Sequence, residues 1–142
     1  MRITTWDKAL MEYIEEQRYK PFEWITHDCV TFVRGACEVQ LGEDVFAKAI
    51  PQYKTLKGGK GVYARLAKKN ENYQTVLNSV LKPCELMLPP RGSVIAKHTD
   101  NGASAVFGAA LGVVVSRFAA FVGDDGLEFL PVHKNDEAWL VE

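Results

Sequence analysis

The first half of the chain carries hydrophobic residues three or four positions apart, the spacing of one helix face. One such stripe begins at Trp6, a second follows Asp28 and ends before Gly42, and a third begins at Tyr73 and ends before Pro83. Asp is a favoured N-cap, Gly a favoured left-handed C-cap, and Pro is disfavoured inside a helix. We therefore predict three amphipathic helices, with caps at Asp28 and Gly42 for the second.

A glycine-rich stretch from Gly58 to Gly61 precedes a further short apolar stripe, which predicts one more helix. The stretch superficially resembles a phosphate-binding loop. A P-loop, however, needs a Ser or Thr after its lysine, and Lys60 is followed by Gly61. The sequence therefore predicts neither a nucleotide site nor another cofactor.

Shorter apolar runs, typical of strands, replace the helical pattern in the second half of the chain. They cover residues 94–96, 105–107, 111–115, 118–122, 127–130 and 138–141. Gly123-Asp124-Asp125-Gly126 is a strong turn signal and predicts a hairpin. Helices followed by a mostly antiparallel sheet are the α+β pattern, so we predict one α+β domain over residues 1–142, with the N-terminal helices packed on the C-terminal sheet.

Composition and charge exclude several classes of function. The 142 residues include 17 Lys plus Arg and 18 Asp plus Glu, and 47% are hydrophobic, as in an ordinary globular domain. Without a basic excess, nucleic-acid binding is not favoured. No apolar run approaches the roughly 20 residues of a membrane span, and the N-terminus lacks the apolar segment of a signal peptide. We expect no membrane span and a start in the cytoplasm.

Three cysteines, Cys29, Cys37 and Cys84, form an odd set in a chain without a visible signal peptide, which predicts reduced thiols. Their spacing contains no Cys-x-x-Cys pair and no Cys/His cluster, so we predict no metal site. A metal or cluster site that the cysteines form with a partner chain is the weaker alternative.

The sequence His27-Asp28-Cys29 at the predicted start of the second helix carries the main chemical signal. A helix N-terminus can lower the pKa of a thiol and point amides at an oxyanion, so Cys29 is a candidate nucleophile. Asp28 is the cap that would orient it. Alternatively Cys29 is a small apolar core residue, the interpretation that the cysteine alone favours.

The block Phe-Glu-Trp-Ile-Thr-His-Asp-Cys-Val-Thr-Phe-Val at residues 22–33, continued at 40–44, resembles a small family of phage and prophage proteins. That family belongs to the NlpC-type branch of papain-like cysteine peptidases and is usually encoded among tail genes. Similar pieces follow along nearly the whole chain, at Gly92-Ser93-Val94, Leu111-Gly112-Val113-Val114, Gly126-Leu127 and Ala138-Trp139. The resemblance implies a papain-like, NlpC-type fold.

In this peptidase branch the cysteine attacks an amide of peptidoglycan, and a histidine directly before the Val-Gly-Ile strand is the base. Ala110 occupies that position here. His98 is the best substitute, because His27 is too close to Cys29 in sequence and His133 lies in a predicted exposed turn. The resemblance therefore favours an inactive or altered active site.

Two functions follow from the resemblance. The favoured one is a structural or assembly component of a phage tail tip or baseplate, in contact with the hub and the tape-measure end. Such a protein would be part of the virion after assembly in the host cytoplasm. The alternative is an active cysteine peptidase or amidase that cleaves peptidoglycan during genome delivery, with Cys29 as nucleophile and His98 as base.

An assembly role would use exposed apolar surface, whereas the default place for an aromatic side chain is the domain's own core. The candidates for a contact surface are Phe22, Trp24, Phe107, Phe118 and Phe121.

Overall fold

The computed structural model of the protein describes residues 1–23, 27–49, 73–97 and 109–142. Within these ranges three helices occur: α1 (Trp6–Gln17), α2 (Cys29–Leu41) and α3 (Tyr73–Val80). The six strands there are β1 (Lys82–Cys84), β2 (Val94–Lys97), β3 (Ala110–Val114), β4 (Phe118–Gly123), β5 (Gly126–Pro131) and β6 (Glu137–Leu140). They form one sheet in the order β1-β6-β2-β3-β4-β5 with every neighbouring pair antiparallel, so the predicted α+β class is confirmed.

Local sequence signals explain both ends of α2. The Asp28 carboxylate accepts a hydrogen bond from the backbone N–H of Thr31 at 2.8 Å. At the other end Gly42 has φ 77°, and its N–H donates to the Glu38 carbonyl at 2.8 Å. A left-handed residue carries little strain only when it is glycine, so both predicted caps are present.

The main core lies between the helices and one face of the sheet. α1 packs on α2, and α2 packs on β3. Its buried side chains include Leu10, Phe32, Val33, Val94, Leu111, Val113 and Trp139. Strand residues that alternate with these form a second cluster of Ile95, Val114, Ala119 and Phe121. The sheet therefore buries apolar side chains on both faces.

The centre of the sheet has a close approach at Gly112, in β3. A Cβ atom at this position would lie 2.6 Å from the Ala120 carbonyl oxygen and 2.6 Å from a ring carbon of Phe121. Both distances are far shorter than van der Waals contact. Glycine is therefore the residue that allows β4 and the Phe121 ring to pack at this point.

Several predicted elements can be compared with the structure. The helix that begins at Tyr73 and the hairpin around residues 123–126 are present, whereas the short helix after Gly61 and the run at 105–107 lie outside the described residues. The sequence predicted no strand at Pro83, yet Pro83 pairs with Trp139 in β1. β1 is an edge strand, the place in a sheet where proline is tolerated.

Candidate functional site

Cys29 is the first residue of α2 and lies against the beginning of β3. The backbone amides of Leu111 and of the first two residues of α2 lie near its sulfur and favour the thiolate. The pairing of β3 with β4 covers Gly112 to Val114, and Leu111 lies just before it. The fold therefore brings the predicted nucleophile next to Leu111, one residue after the position at which the resemblance places a base.

Burial decides the chemistry of this thiol. Cys29 is 5% exposed, and desolvation raises its pKa from the ordinary 9.0 to about 11, with a smaller contribution from the Asp28 carboxylate. Backbone hydrogen bonds favour the thiolate, but their effect is weaker than that of desolvation. Burial thus outweighs the lowering that a helix N-terminus can give, because the core packs around the sulfur.

Asp28 is 1% exposed, and its carboxylate is held at the helix start by the Thr31 N–H. An ionised carboxylate is costly to bury unless hydrogen bonds compensate it. Asp28 therefore has the structural role of a cap that fixes the first turn of α2 and the direction of Cys29.

The three histidines do not supply a base within the described residues. His98 lies outside them, so its role stays a prediction. His27 is buried with its ring edge-on to Phe32, and its Nε2 has no hydrogen-bond partner in the described part of the chain. Desolvation lowers the pKa of His27, which keeps the ring neutral. His133 is exposed, and over residues 1–23, 27–49, 73–97 and 109–142 no imidazole hydrogen bonds to the Cys29 sulfur.

Ala110 begins β3, one residue before the backbone amide that meets the thiol. Its side chain packs against the second cluster, the one that contains Ile95, Val114 and Phe121. A methyl group can neither accept a proton from Cys29 nor protonate a leaving amine. The position implied for the base thus carries no acid or base group.

The family described as a domain of unknown function, DUF6950, matches residues 1–141. The chain belongs to this family. No curated protein and no solved structure gives a significant match to it.

The other two thiols of the DUF6950 domain differ from each other in their access to solvent. Cys37 is buried in α2, and desolvation raises its pKa to about 12. Cys84, in the edge strand β1, is partly exposed. All three cysteines are free, and within the described ranges no three His, Cys, Asp or Glu side chains are grouped to hold a metal ion. No helix there is long and apolar enough to cross a membrane.

The sequence did not predict a cleft of about 530 Å³ that lies between α3, β1 and β6. At its edge Tyr73 donates to Glu137 Oε1 at 2.6 Å, and the Gln74 amide donates to Oε2 at 2.5 Å. Desolvation, helped by the bond to Glu137, raises the pKa of Tyr73, so its hydroxyl stays protonated. Tyr73 and Glu137 are 64 positions apart, and no local pattern could have linked them. The pairing joins α3 to β6.

Proposed function

We propose that this DUF6950 protein is a structural or assembly component of a phage tail tip or baseplate, built on an NlpC-type papain-like scaffold whose peptidase site is degenerate. The tail assignment rests on the resemblance of residues 22–33 to the tail-encoded family. The observation that carries the proposal is the Cys29 thiol, which sits at a capped helix start but is buried and has a raised pKa.

A cysteine peptidase needs a thiolate for attack and an acid that protonates the leaving amine. With a pKa of about 11, about one Cys29 side chain in ten thousand is ionised at neutral pH. Of the described histidines the nearest in sequence is the buried, neutral His27, and Ala110, at the position implied for the base, packs on the opposite face of the sheet from Cys29. These features favour a retained scaffold over an enzyme.

The arrangement around Cys29 supports the scaffold part of the proposal. The cysteine begins a buried helix that packs on a central strand of an antiparallel sheet, in the chain order that the resemblance implies. Gly112, the glycine of the motif after Ala110, lies where β4 and the Phe121 ring leave no room for a Cβ atom. The quoted motif residues therefore coincide with positions that the packing constrains.

The state of the thiol site is tested by alkylating the native protein with iodoacetamide at neutral pH and following each cysteine by peptide mass spectrometry. Cys84 should react first because it is partly exposed. Cys29 and Cys37 should react at least about 100-fold more slowly than an ordinary thiol, because raising the pKa from 9.0 to about 11 or 12 reduces the thiolate fraction by at least that factor. In denaturant all three should react at similar rates, which controls for local sequence effects.

The opposite order would support the alternative function. If Cys29 reacts first, and if the protein releases peptides from peptidoglycan in a reaction that Cys29→Ser abolishes, the protein is an active cysteine peptidase and the degenerate-site proposal fails. His98→Ala would then test whether His98 is the base.

The assembly role is tested separately by co-expression with the proteins of the tail hub and the tape-measure end, followed by size-exclusion chromatography. We expect a stable complex with at least one of them. A protein that stays monomeric and co-purifies with none of them would remove the assembly role, whatever the state of Cys29.

A further inference from the structure

A shallow groove of about 290 Å³ lies where the end of α1 meets the β4–β5 hairpin. Its lining includes Arg18, Tyr19, Asp125, Glu128 and Phe129, which together are called the acidic–aromatic surface. Two backbone hydrogen bonds fix it, from Leu127 N–H to the Arg18 carbonyl and from Phe22 N–H to the Gly123 carbonyl, each at 2.8 Å. The groove therefore has a rigid base formed from two distant parts of the chain.

Its aromatic side chains are unusually open to solvent. Tyr19 is 76% exposed and Phe129 is 40% exposed. The Arg18 guanidinium carbon lies 5.6 Å from the centre of the Tyr19 ring and 5.9 Å from that of Phe129, so the cation bridges both rings. Phe118, also exposed, shares this face of the hairpin, since its partner Pro131 is two residues from Phe129. Exposed clusters of Tyr, Phe and Arg are typical of protein–protein contact sites.

The groove itself holds two carboxylates, Asp125 and Glu128, and one cation, Arg18. The two segments that form its sides carry a larger excess of carboxylates in a nearly neutral chain. Residues 12–23 and 124–129 contain seven carboxylates and two cations, all exposed, whereas the whole chain has a net charge of -1. The carboxylates are Glu12, Glu15, Glu16, Glu23, Asp124, Asp125 and Glu128. Two of the seven are paired, Glu12 with Lys8 at 3.9 Å and Glu15 with Arg18 at 3.4 Å, which leaves five without an ion pair in the described part of the chain. Such a concentration of one sign attracts the opposite charge and repels its own.

The backbone edge beside the groove is poorly suited to adding a strand. β5 is an edge strand, but the Leu127 N–H already donates to Arg18 and Pro131 has no N–H. Both features limit edge-to-edge pairing. A molecule that binds here therefore contacts side chains.

We propose that the acidic–aromatic surface is a docking site for a basic protein surface, in which Lys and Arg side chains surround an apolar group that packs on the exposed sides of Tyr19 and Phe129. Charge complementarity selects this occupant over an acidic partner or a second copy of the same acidic face. The inference rests on the proposed function, because the occupant is then a neighbouring tail protein.

The test uses a displayed library of short random peptides selected on the immobilised full chain. Selected peptides should be rich in Lys and Arg around an apolar residue. For a synthetic peptide of the consensus sequence, Phe129→Ala should weaken binding at least about tenfold, as at an interface hot spot. Glu128→Lys should weaken binding and reduce its dependence on salt. Unchanged far-ultraviolet circular dichroism establishes that each variant is folded.

Matched controls come from elsewhere on the surface. Leu86→Ala removes an apolar side chain that is 63% exposed and follows β1, at the opposite edge of the sheet. Glu43→Lys reverses an exposed charge after α2. Both should leave peptide binding unchanged. The proposal is overturned if no peptide is selected, if the selected peptides are not basic, or if Leu86→Ala weakens binding as much as Phe129→Ala.

Comparison with the co-expression experiment separates this inference from the proposed function. A tail protein that binds the wild type and Phe129→Ala equally well would overturn the docking site and leave the assembly role intact. Selective binding of the basic peptide without any tail partner would support the docking site and contradict the assembly role.

Discussion

The start of α2 and the acidic–aromatic surface differ in their exposure to solvent, which a residue needs in order to contact another molecule. Cys29 has a helix N-terminus, a carboxylate cap and backbone donors, but almost no contact with solvent. Tyr19 and Phe129 have no reactive group but lie open to solvent. A residue with a reactive group, such as Cys29, can thus belong to the core, while residues without one, such as Tyr19 and Phe129, provide the surface that another molecule can contact.

The cost of removing a charged group from water explains the properties of both regions. It raises the pKa of Cys29 and keeps the sulfur neutral. The same cost explains why the buried Asp28 carboxylate is hydrogen-bonded at a helix start, while the carboxylates around Tyr19 stay in water. Matched substitutions in the two regions should therefore have very different effects on stability.

Two phenylalanines of the same hairpin should show the largest difference. Phe121 is 5% exposed in the second cluster, so Phe121→Ala should lower the free energy of unfolding by about 3–5 kcal/mol. Phe129→Ala should lower it by about 1 kcal/mol or less, because that ring is partly in water. Urea unfolding followed by fluorescence measures both. If both substitutions lower the free energy of unfolding equally, Phe129 belongs to the core, and the proposed difference between the two regions is wrong.

The next largest difference in the free energy of unfolding should come from replacing two glycines by alanine. Gly112→Ala places a methyl group against the Ala120 carbonyl and the Phe121 ring, which cannot move freely, and should cost about 1–3 kcal/mol. At Gly123 the atoms nearest to the new methyl group belong to the side chain of Glu128, which can swing away. Gly123→Ala should therefore cost less than Gly112→Ala in the same urea experiment. A reversed order would show that the hairpin turn is the more tightly constrained region.

Sequence reasoning succeeded where the cause of a structure is local. Asp28 and Gly42 define the ends of α2 through hydrogen bonds to residues three or four positions away. The turn between Gly123 and Gly126 depends on four consecutive residues, and the sequence predicted it. Helix stripes and alternating strands likewise follow from short-range periodicity.

The properties of the candidate site depend on contacts between distant residues, which no local pattern encodes. Burial raises the pKa of Cys29, and the cluster in which the thiol is buried includes residues of β3, more than 80 positions later. The stacking of Arg18 on Phe129 and the bond between Tyr73 and Glu137 also join remote segments. The strand at Pro83 was missed because pairing with β6 outweighs the weak strand preference of proline.

Replacing a buried and an exposed carboxylate should give the smallest difference in the free energy of unfolding. Asp28→Ala removes the acceptor for the Thr31 N–H and should lower the free energy of unfolding by about 1 kcal/mol. Asp28→Asn keeps an acceptor oxygen and should restore most of that loss, while Asp124→Ala, at an exposed turn, should change stability by about 0.5 kcal/mol or less. Urea midpoints measure all three variants.

The same substitution links the cap to the thiol. Without its cap the first turn of α2 opens more often, so alkylation of Cys29 should accelerate in Asp28→Ala by more than alkylation of Cys37, which lies two turns further along the helix. Equal acceleration of the two cysteines would indicate global unfolding. Asp28 would then stabilise the whole domain, and the low reactivity of Cys29 would depend on the core alone.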